Sequence, residues 1–236
     1  GTRWPYSKDA FRTIVLKSSS FILQILRINL TGTLENLSMP SYANAIKLQE
    51  KLALKVSTKD STRKLERICA VDVSYKGQDA TAAAVIMDGK TLQILERVTS
   101  RTKVKTPYIP GLMMLRESGP ILSTLNLLKE NYDVLLVDGN GQLHPRKFGL
   151  ACYIGIVLDK PTIGIAKSLL CGTVIGNSVK LGDEILAHII EKKKGKKIFV
   201  SIGNKISLKT AAKLTESLIK EGEWMPEPLR LADQYS

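Results

Sequence analysis

The chain has 236 residues, 44% of them hydrophobic, which is enough apolar material for one sizeable core and argues against global disorder. Its 35 lysines and arginines outnumber 22 aspartates and glutamates, and the resulting net charge of +13 favours a polyanionic partner, with nucleic acid ahead of a membrane surface. Three scattered cysteines without a C-x-x-C pair argue against a disulfide framework or structural zinc and indicate a reducing cytoplasm, and the two histidines exclude a multi-histidine metal site.

The first 40 residues differ from the rest of the chain. Their apolar run from Phe21 to Leu30 is interrupted by three polar residues and is too short to span a membrane, and no small-residue cleavage site follows it. We interpret residues 1–40 as an N-terminal extension of unknown role and residues 41–236 as a single domain. Neither a membrane partner nor an oligomer is expected.

Apolar periodicity and turn residues predict the elements of the domain. In chain order they are a helix at 43–55, strands at 68–75, 80–87 and 92–99, a helix at 112–129, a strand at 134–137, a helix at 148–158, a strand at 161–166, a glycine-rich loop at 172–183, a hairpin of strands 184–191 and 197–201, and a helix at 207–220. This order predicts an α/β fold whose mixed sheet has an antiparallel meander followed by parallel strands, with helices on its faces.

The tip of the last predicted hairpin, residues 192–197, carries five lysines and one glycine. Such a tip is either a loop that contacts phosphates or a solvated turn, and the solvated turn is the favoured interpretation.

A short buried strand at 134–137 runs directly into Asp138 and a Gly-Asn-Gly turn. Ligands collect at the carboxyl ends of strands in open α/β sheets, so Asp138 is a candidate functional residue. The alternative is that the strand simply ends in an Asp-Gly turn.

Two further carboxylates strengthen the functional interpretation. Asp72 lies inside an apolar strand, where an ionised carboxylate is costly unless it is paired or binds a cation. Glu117 lies in the helix between the two strands, although it could instead belong to a surface network with Arg116. Three carboxylates without thiolates suit Mg²⁺, with Mn²⁺ as a substitute, and such a site supports phosphodiester hydrolysis.

Several long motifs occur in an order that resembles the endonuclease V family, from Ser41 to the C-terminus. These motifs are ICAVDVSY (68–75), PYIPG with LRESGP (107–120), VDGNG with HPR (137–146), DKPTIGIAKSLLCG (159–172), VSIGNKISL (200–208) and PEPLRLAD (226–233).

The resemblance implies an RNase H-like fold and a Mg²⁺-dependent endonuclease of DNA repair. It implies a nick at the second phosphodiester bond 3′ to deoxyinosine, leaving 3′-hydroxyl and 5′-phosphate ends. Asp72, Glu117 and Asp138 match the family's metal ligands, and Lys167 matches its active-site lysine, which we assign to charge stabilisation at the phosphate.

The PYIP motif matches the family's wedge, with Tyr108 flanked by Pro107, Ile109 and Pro110. The two prolines fix the backbone, so the ring can be inserted into a base stack at low entropic cost while a base is flipped out. The residues that match the base pocket are Gly111, Gly139, Gly149 and Leu150. His144 also matches and is expected to contact DNA or position water, whereas His188 is expected to be structural.

The chain departs from the family at Asn204 and at Asn140, where relatives usually carry histidine. We expect Asn204 to lie near the metal and to offer it a carbonyl oxygen, but an amide cannot exchange a proton near neutral pH. This predicts reduced activity or a changed metal preference.

Two alternatives stay open at this point. The first is a nucleic-acid-binding protein with weakened catalysis, because of Asn204. The second is a ribonuclease specific for inosine, because the contacts that distinguish a 2′-hydroxyl cannot be deduced from the sequence.

Overall fold

The structure, a computed structural model, describes residues 42–62 and 64–236. Within it, the strands between residues 67 and 204 form one nine-stranded mixed sheet. The strands are β1 (Arg67–Lys76), β2 (Asp79–Asp88), β3 (Ile94–Lys103), β4 (Val134–Asp138), β5 (Thr162–Ala166), β6 (Thr173–Ile175), β7 (Ser178–Leu181), β8 (Glu184–Lys193) and β9 (Lys196–Asn204). Their order across the sheet is β3-β2-β1-β4-β5-β9-β8-β7-β6.

Five helices occur in the same described residues. They are α1 (Tyr42–Ala53), α2 (Met114–Leu125), α3 (Leu150–Leu158), α4 (Leu208–Ser217) and α5 (Glu227–Tyr235). Each of them is too short or too polar to cross a bilayer. The chain divides into two compact units, residues 1–51 and 52–236, and most of α1 belongs to the first. The predicted extension at 1–40 lies outside the described residues, and the domain boundary at residue 41 stays a prediction.

The pairing of the strands confirms the predicted fold class. β1, β2 and β3 form the antiparallel meander, whereas β1 pairs with β4 and β4 with β5 in parallel. β9 then adds to β5 in the antiparallel direction. The carboxyl ends of β1, β4 and β5 therefore meet at one edge of the sheet, which we call the carboxyl edge.

Helices cover both faces of this sheet. α2 and α3 lie on one face, where they contact β2, β3, β4 and β5, and α4 and α5 lie on the other. The core under α4 and α5 includes Ile68 of β1 and Leu136 of β4 together with Leu229 of α5. Side chains alternate between the faces of a strand, so every second residue after Ile68 and Leu136 also points towards α5.

Two segments differ from the prediction. The glycine-rich segment at 172–183 is not a loop, because β6 and β7 form a short hairpin that extends the sheet. These strands have only three and four residues, β6 is exposed throughout and only Val179 of β7 is buried, so they carry no clear apolar alternation. The tail after Trp224 contains α5, a helix that we did not predict.

Candidate active site

Asp72 and Asp138 lie side by side at the carboxyl edge. Val71 of β1 is paired with Val137 of β4, so the two aspartates follow at equivalent positions on neighbouring parallel strands. Asp72 and Asp138 lie an even number of residues after Ile68 and Leu136, so their side chains point to the same face of the sheet, towards α5. The register of the sheet therefore brings together two carboxylates that are far apart in the sequence.

A third carboxylate, Asp233, joins them from α5. Ligand oxygens of Asp72, Asp138 and Asp233 all lie within 4.8 Å of one another. Asp233 is one helical turn after the buried Leu229 and follows the buried Ala232, so docking of α5 on the sheet turns its carboxylate towards β1 and β4. We call these three residues the acidic cluster. No role was predicted for Asp233 from its motif.

Lys167 follows β5 directly and reaches the acidic cluster. Its Nζ lies 2.7 Å from Oδ2 of Asp138 and 3.0 Å from Oδ1 of Asp233. Burial disfavours the ammonium form, but the attraction of the two carboxylates outweighs it and raises the pKa of Lys167 above its ordinary value. Lys167 is therefore positively charged at this site, and its predicted role in stabilising phosphate charge stays a prediction.

Negative charge on the acidic cluster is energetically unfavourable. Burial, and then the neighbouring Asp138, raise the pKa of Asp72 to about 7. Burial also raises the pKa of Asp138, although Lys167 opposes that shift. Like charges at this distance disfavour each other, and one ammonium does not neutralise three carboxylates. The site is therefore suited to additional positive charge.

Glu117 lies close to the cluster but outside the group of three. It is in the first turn of α2, on the opposite face of the sheet from α5, and it is only 8% exposed. Burial, followed by repulsion from Asp72 and Asp138, raises the pKa of Glu117 to about 8. The structure thus places Asp72 and Asp138 of the predicted triad next to each other and Glu117 near them, and their role as metal ligands stays a prediction.

The donor set suits a hard divalent cation. Mg²⁺ and Mn²⁺ prefer carboxylate oxygens, and the acidic cluster offers three of them without a thiolate or an imidazole. The raised carboxylate pKa values indicate the same need, because a bound cation would relieve the repulsion.

His144 has a structural role in this geometry. Its Nε2 lies 3.0 Å from the carbonyl oxygen of Gly111, and its Nδ1 accepts a hydrogen bond from the Arg146 backbone N–H. Burial, and then the Arg146 charge, lower the pKa of His144 to about 4, so the ring is neutral near pH 7. Both ring nitrogens therefore have backbone partners that help to position Gly111, and the role of His144 in contacting DNA or positioning water stays a prediction.

The segment that carries Tyr108 is held at both ends. Arg116 donates a hydrogen bond of 2.6 Å to the carbonyl oxygen of Thr106, and Arg146 donates one of 2.7 Å to that of Gly111. Between these anchors the Tyr108 side chain is 60% exposed. The predicted wedge is therefore an exposed ring on a restrained loop.

A tight turn completes this loop. The backbone N–H of Leu112 donates to the Ile109 carbonyl oxygen over 2.9 Å. Pro110 and Gly111 occupy the central positions, and Gly111 has a φ of +76°, as a type II turn requires.

The predicted base-pocket residues Gly139, Gly149 and Leu150 lie together beside the Asp138 turn. A Cβ on Gly149 would lie 2.2 Å from the carbonyl oxygen of Asn140, so only glycine fits there. Leu150 packs against Gly139. The fourth residue, Gly111, is placed by His144 and Arg146, and its role in base binding stays a prediction.

Asn140 contributes an unusual group to the same turn. Among the described residues, its Oδ1 is a buried side-chain oxygen without a hydrogen-bond partner. Such atoms are rare in folded proteins and often mark positions that water or a ligand completes.

The assignment of Asn204 as a metal ligand is wrong. Asn204 ends β9 and is paired with Thr162, at the start of β5, whereas Asp138 is paired with Ile165 near its end. Its side chain is also fully used, because Oδ1 accepts from the Ser57 N–H and Nδ2 donates to the Gly155 carbonyl, each over 3.0 Å. The structure therefore removes the reason for expecting weakened catalysis.

Comparison with known proteins agrees with this geometry. The sequence profile of the Endonuclease V family matches residues 50–234. Endonuclease V from Thermofilum pendens is 42% identical over 205 residues, covering 83% of this chain and 88% of the relative. Endonuclease V from Pyrococcus abyssi is 43% identical over 189 residues, with coverage of 80% and 88%.

Solved structures give the same result. Endonuclease V from Bacillus subtilis has a TM-score of 0.77 at 28% identity, covering 85% of this chain and 92% of that structure. Ciona intestinalis endonuclease V, solved with a 24mer DNA containing an inosine followed by a ribo-adenosine, has a TM-score of 0.76 at 30% identity, with coverage of 83% and 95%.

The sheet, its acidic cluster and these relatives define a nuclease of the RNase H-like type. More particularly, the chain belongs to the endonuclease V family.

Proposed function

We propose that this protein is a divalent-cation-dependent endonuclease of DNA repair that nicks the second phosphodiester bond 3′ to deoxyinosine, leaving 3′-hydroxyl and 5′-phosphate ends. The observation that carries the proposal is the convergence of Asp72, Asp138 and Asp233 at the carboxyl edge, beside Lys167, in a member of this family. The inosine-containing DNA bound by the Ciona relative supports the choice of substrate.

In this proposal the three carboxylates of the acidic cluster would hold Mg²⁺, or Mn²⁺ in its place, and the bound cation would also favour the ionised form of the nearby Glu117. A bound cation supplies Lewis-acid stabilisation of the charge that develops on the phosphate and makes a bound water more acidic. Lys167 keeps Asp138 and Asp233 in place and offers its ammonium group to a phosphate oxygen.

Recognition of the lesion is assigned to the loop above the cluster. Tyr108 enters the base stack, which compensates for unstacking the flipped nucleotide, and the restrained backbone on both sides keeps the entropic cost low. The hypoxanthine base then meets the backbone of Gly111, Gly139 and Gly149 and the side chain of Leu150. A cytoplasmic location and a monomeric state remain predictions from the sequence.

An end-labelled duplex with one deoxyinosine tests the proposal directly. With Mg²⁺ we expect a single nick at the second phosphodiester bond on the 3′ side, and no nick in the matched duplex that has deoxyadenosine instead. Chelation by EDTA should abolish the reaction. Absence of any nick with both Mg²⁺ and Mn²⁺, or equal cutting of the two duplexes, would contradict the proposal.

Inosine in RNA is a second candidate substrate. It is favoured by one observation, the ribo-adenosine that follows inosine in the DNA bound by the Ciona relative. Three otherwise identical strands, with deoxyribose, a single ribonucleotide 3′ to inosine, or ribose throughout, would rank the substrates by kcat/KM. A preference of tenfold or more for the ribose-containing strands would make the protein an inosine-specific ribonuclease.

A further inference from the structure

The tip of the β8–β9 hairpin, residues 191–197, is the most concentrated positive segment of the described chain outside the site already discussed. It has five lysines and one glutamate, and all seven residues are exposed. The turn is ordered by its own contacts, because the N–H of Gly195 donates to Oε1 of Glu191 over 2.8 Å. The tip is therefore a defined feature and not a frayed end.

Protein carboxylates neutralise only part of this charge. Lys192 pairs with Glu216 at 2.7 Å, and Lys197 pairs with Glu191 at 3.3 Å. Within residues 42–62 and 64–236, no carboxylate forms an ion pair with Lys193, Lys194 or Lys196. Lys196 instead lies 5.4 Å from the centre of the Trp224 ring, an interaction that leaves its charge in place. Three positive charges therefore remain at one turn.

The topology places this turn at the carboxyl edge. β9 is antiparallel to β5, and Phe199 of β9 is paired with Ala166, the residue before Lys167. Lys196 precedes Phe199 by three residues, so the tip extends roughly 10 Å beyond the end of β5. Two strand spacings separate β9 from β4, which puts Lys196 roughly 15 Å from Asp138.

The distance between Lys196 and Asp138 can be compared with the spacing of phosphates along a nucleic acid. Consecutive phosphates of one strand are about 7 Å apart in space, because the backbone winds around an axis along which it rises about 3.4 Å per nucleotide, so roughly 15 Å corresponds to two or three nucleotides. An anionic backbone held at the acidic cluster through a cation would come within reach of a second, positively charged contact at that separation.

We propose that the tip of the β8–β9 hairpin is a phosphate-binding surface that holds the nucleic-acid backbone about two or three nucleotides from the bond that is cut. This rests on the proposed function for the position of the cut, and it replaces the interpretation of the tip as a solvated turn. The carboxyl edge then combines one negative centre, which needs a cation, with one positive contact that attracts the same strand.

The test compares two triple variants that each remove three lysine charges. The first is Lys193→Gln, Lys194→Gln and Lys196→Gln at the tip. The control is Lys59→Gln, Lys129→Gln and Lys209→Gln, three exposed residues near the opposite edge, where β4 begins and β9 ends. Because both variants have the same net charge, a difference between them reports position and not overall attraction.

Binding of the full chain to an inosine duplex and to an undamaged duplex is measured in EDTA over a range of salt. We expect the tip variant to bind both duplexes at least tenfold more weakly and its plot of log K against log salt to flatten by about 2–3. The affinity of the control variant for either duplex should change by less than threefold. Equal losses in the two variants, or none at the tip, would overturn the proposal.

Neutral methylphosphonate linkages placed one at a time along the substrate then locate the contact. A window of two or three positions, centred about two or three nucleotides to one side of the cut, should weaken binding of the wild type and leave the tip variant unaffected. The single-turnover rate at saturating protein should stay within twofold. A uniform response along the strand would contradict the position that we propose.

Two outcomes separate this inference from its alternatives. If phosphatidylserine vesicles, and not duplexes, lose affinity for the tip variant, the surface binds membranes and the proposal is wrong. If the tip variant loses duplex affinity while the wild type fails to nick inosine strands, the surface stands and the proposed reaction fails.

Discussion

Buried polar groups at the two ends of the central strands differ in how they are stabilised. At the amino end of β5, both amide atoms of Asn204 are hydrogen-bonded to the backbone, and the group is neutral. At the carboxyl edge, Asp72 and Asp138 are partly buried next to each other, and their pKa values are raised. A neutral group whose polar atoms are all hydrogen-bonded stabilises the fold. Neighbouring buried carboxylates repel each other, and such an unfavourable arrangement indicates a site that a ligand completes.

Asp138→Asn should separate activity from stability most strongly. We expect a loss of nicking rate of at least about 1,000-fold, because the variant removes a carboxylate that we assign to the cation. The free energy of unfolding without added cation should not fall, because one of the buried like charges is gone. Single-turnover rates and urea unfolding measure the two effects. A variant that unfolds easily, or that still cuts within tenfold of the wild type, would contradict this interpretation.

Asp233→Asn should have the next largest effect. Loss of this oxygen weakens the cation site without removing the pair formed by Asp72 and Asp138, and we expect kcat/KM to fall about 100-fold. Raising the Mg²⁺ or Mn²⁺ concentration should restore part of the rate. Gln234→Ala, at the next residue of α5, controls for damage to the helix and should leave kcat/KM within twofold.

Asn204→Ala should have the opposite pattern of effects, with a loss of stability and no loss of activity. Two buried backbone groups lose their partners, so the free energy of unfolding should fall by roughly 2 kcal/mol while kcat stays within twofold. Asn177→Ala, at an exposed asparagine in the β6–β7 turn, is the matched control. Asn204→His should likewise give no gain in rate, and a large gain would restore the idea that this position serves the metal.

Tyr108→Ala tests the loop above the carboxyl edge. Without the ring, the flipped state loses its substitute for base stacking, and kcat/KM on an inosine duplex should fall about 10-fold. Tyr108→Phe keeps the ring and should retain wild-type activity. If Tyr108→Phe loses as much activity as Tyr108→Ala, the hydroxyl group and not the ring is required, and if neither variant loses activity, Tyr108 does not act as a wedge.

The smallest expected effect is that of His144 on the pH dependence of the free energy of unfolding. Its folded pKa of about 4 lies below the ordinary value of 6.5, so between these values the unfolded chain binds a proton that the folded chain does not. The contribution to stability is complete above pH 6.5 and is lost as the pH falls towards 4. From pH 7 to pH 5.5 the loss should be about 1 kcal/mol, and His144→Gln should remove this part of the pH dependence. His188→Gln is the control, and an unchanged pH profile in His144→Gln would show that another group is responsible.

Much of this arrangement could be predicted from local sequence. The apolar run at 134–137 and the strand around Asp72 were sufficient to predict two buried strands, one that ends at Asp138 and one that carries Asp72 inside it, and the structure pairs them in parallel. The loop with Pro107 and Pro110 was predicted from the fixed backbone of proline. These features depend on neighbours within a few residues, which is the range over which periodicity and turn chemistry act.

The remaining features depend on contacts over long distances in the sequence. Asp233 enters the cluster only because α5 docks on β1, and nothing within its own segment shows which face of the helix meets the sheet. Asn204 is placed by the register of β9 against β5, which the motif order does not reveal. His144 is neutral because of burial and Arg146, and both follow from packing.

The position of Asp233 on α5 also has a consequence for biosynthesis. The ribosome delivers Asp72, Asp138 and Lys167 well before residue 233, and domains begin to fold while their later parts are still being made. A nascent chain that has already formed β1, β4 and β5 still lacks one of the three carboxylates. Under the proposed function, full cutting activity therefore arrives only with α5, so an unfinished chain would cut the nucleic acids around it far more slowly than the finished protein.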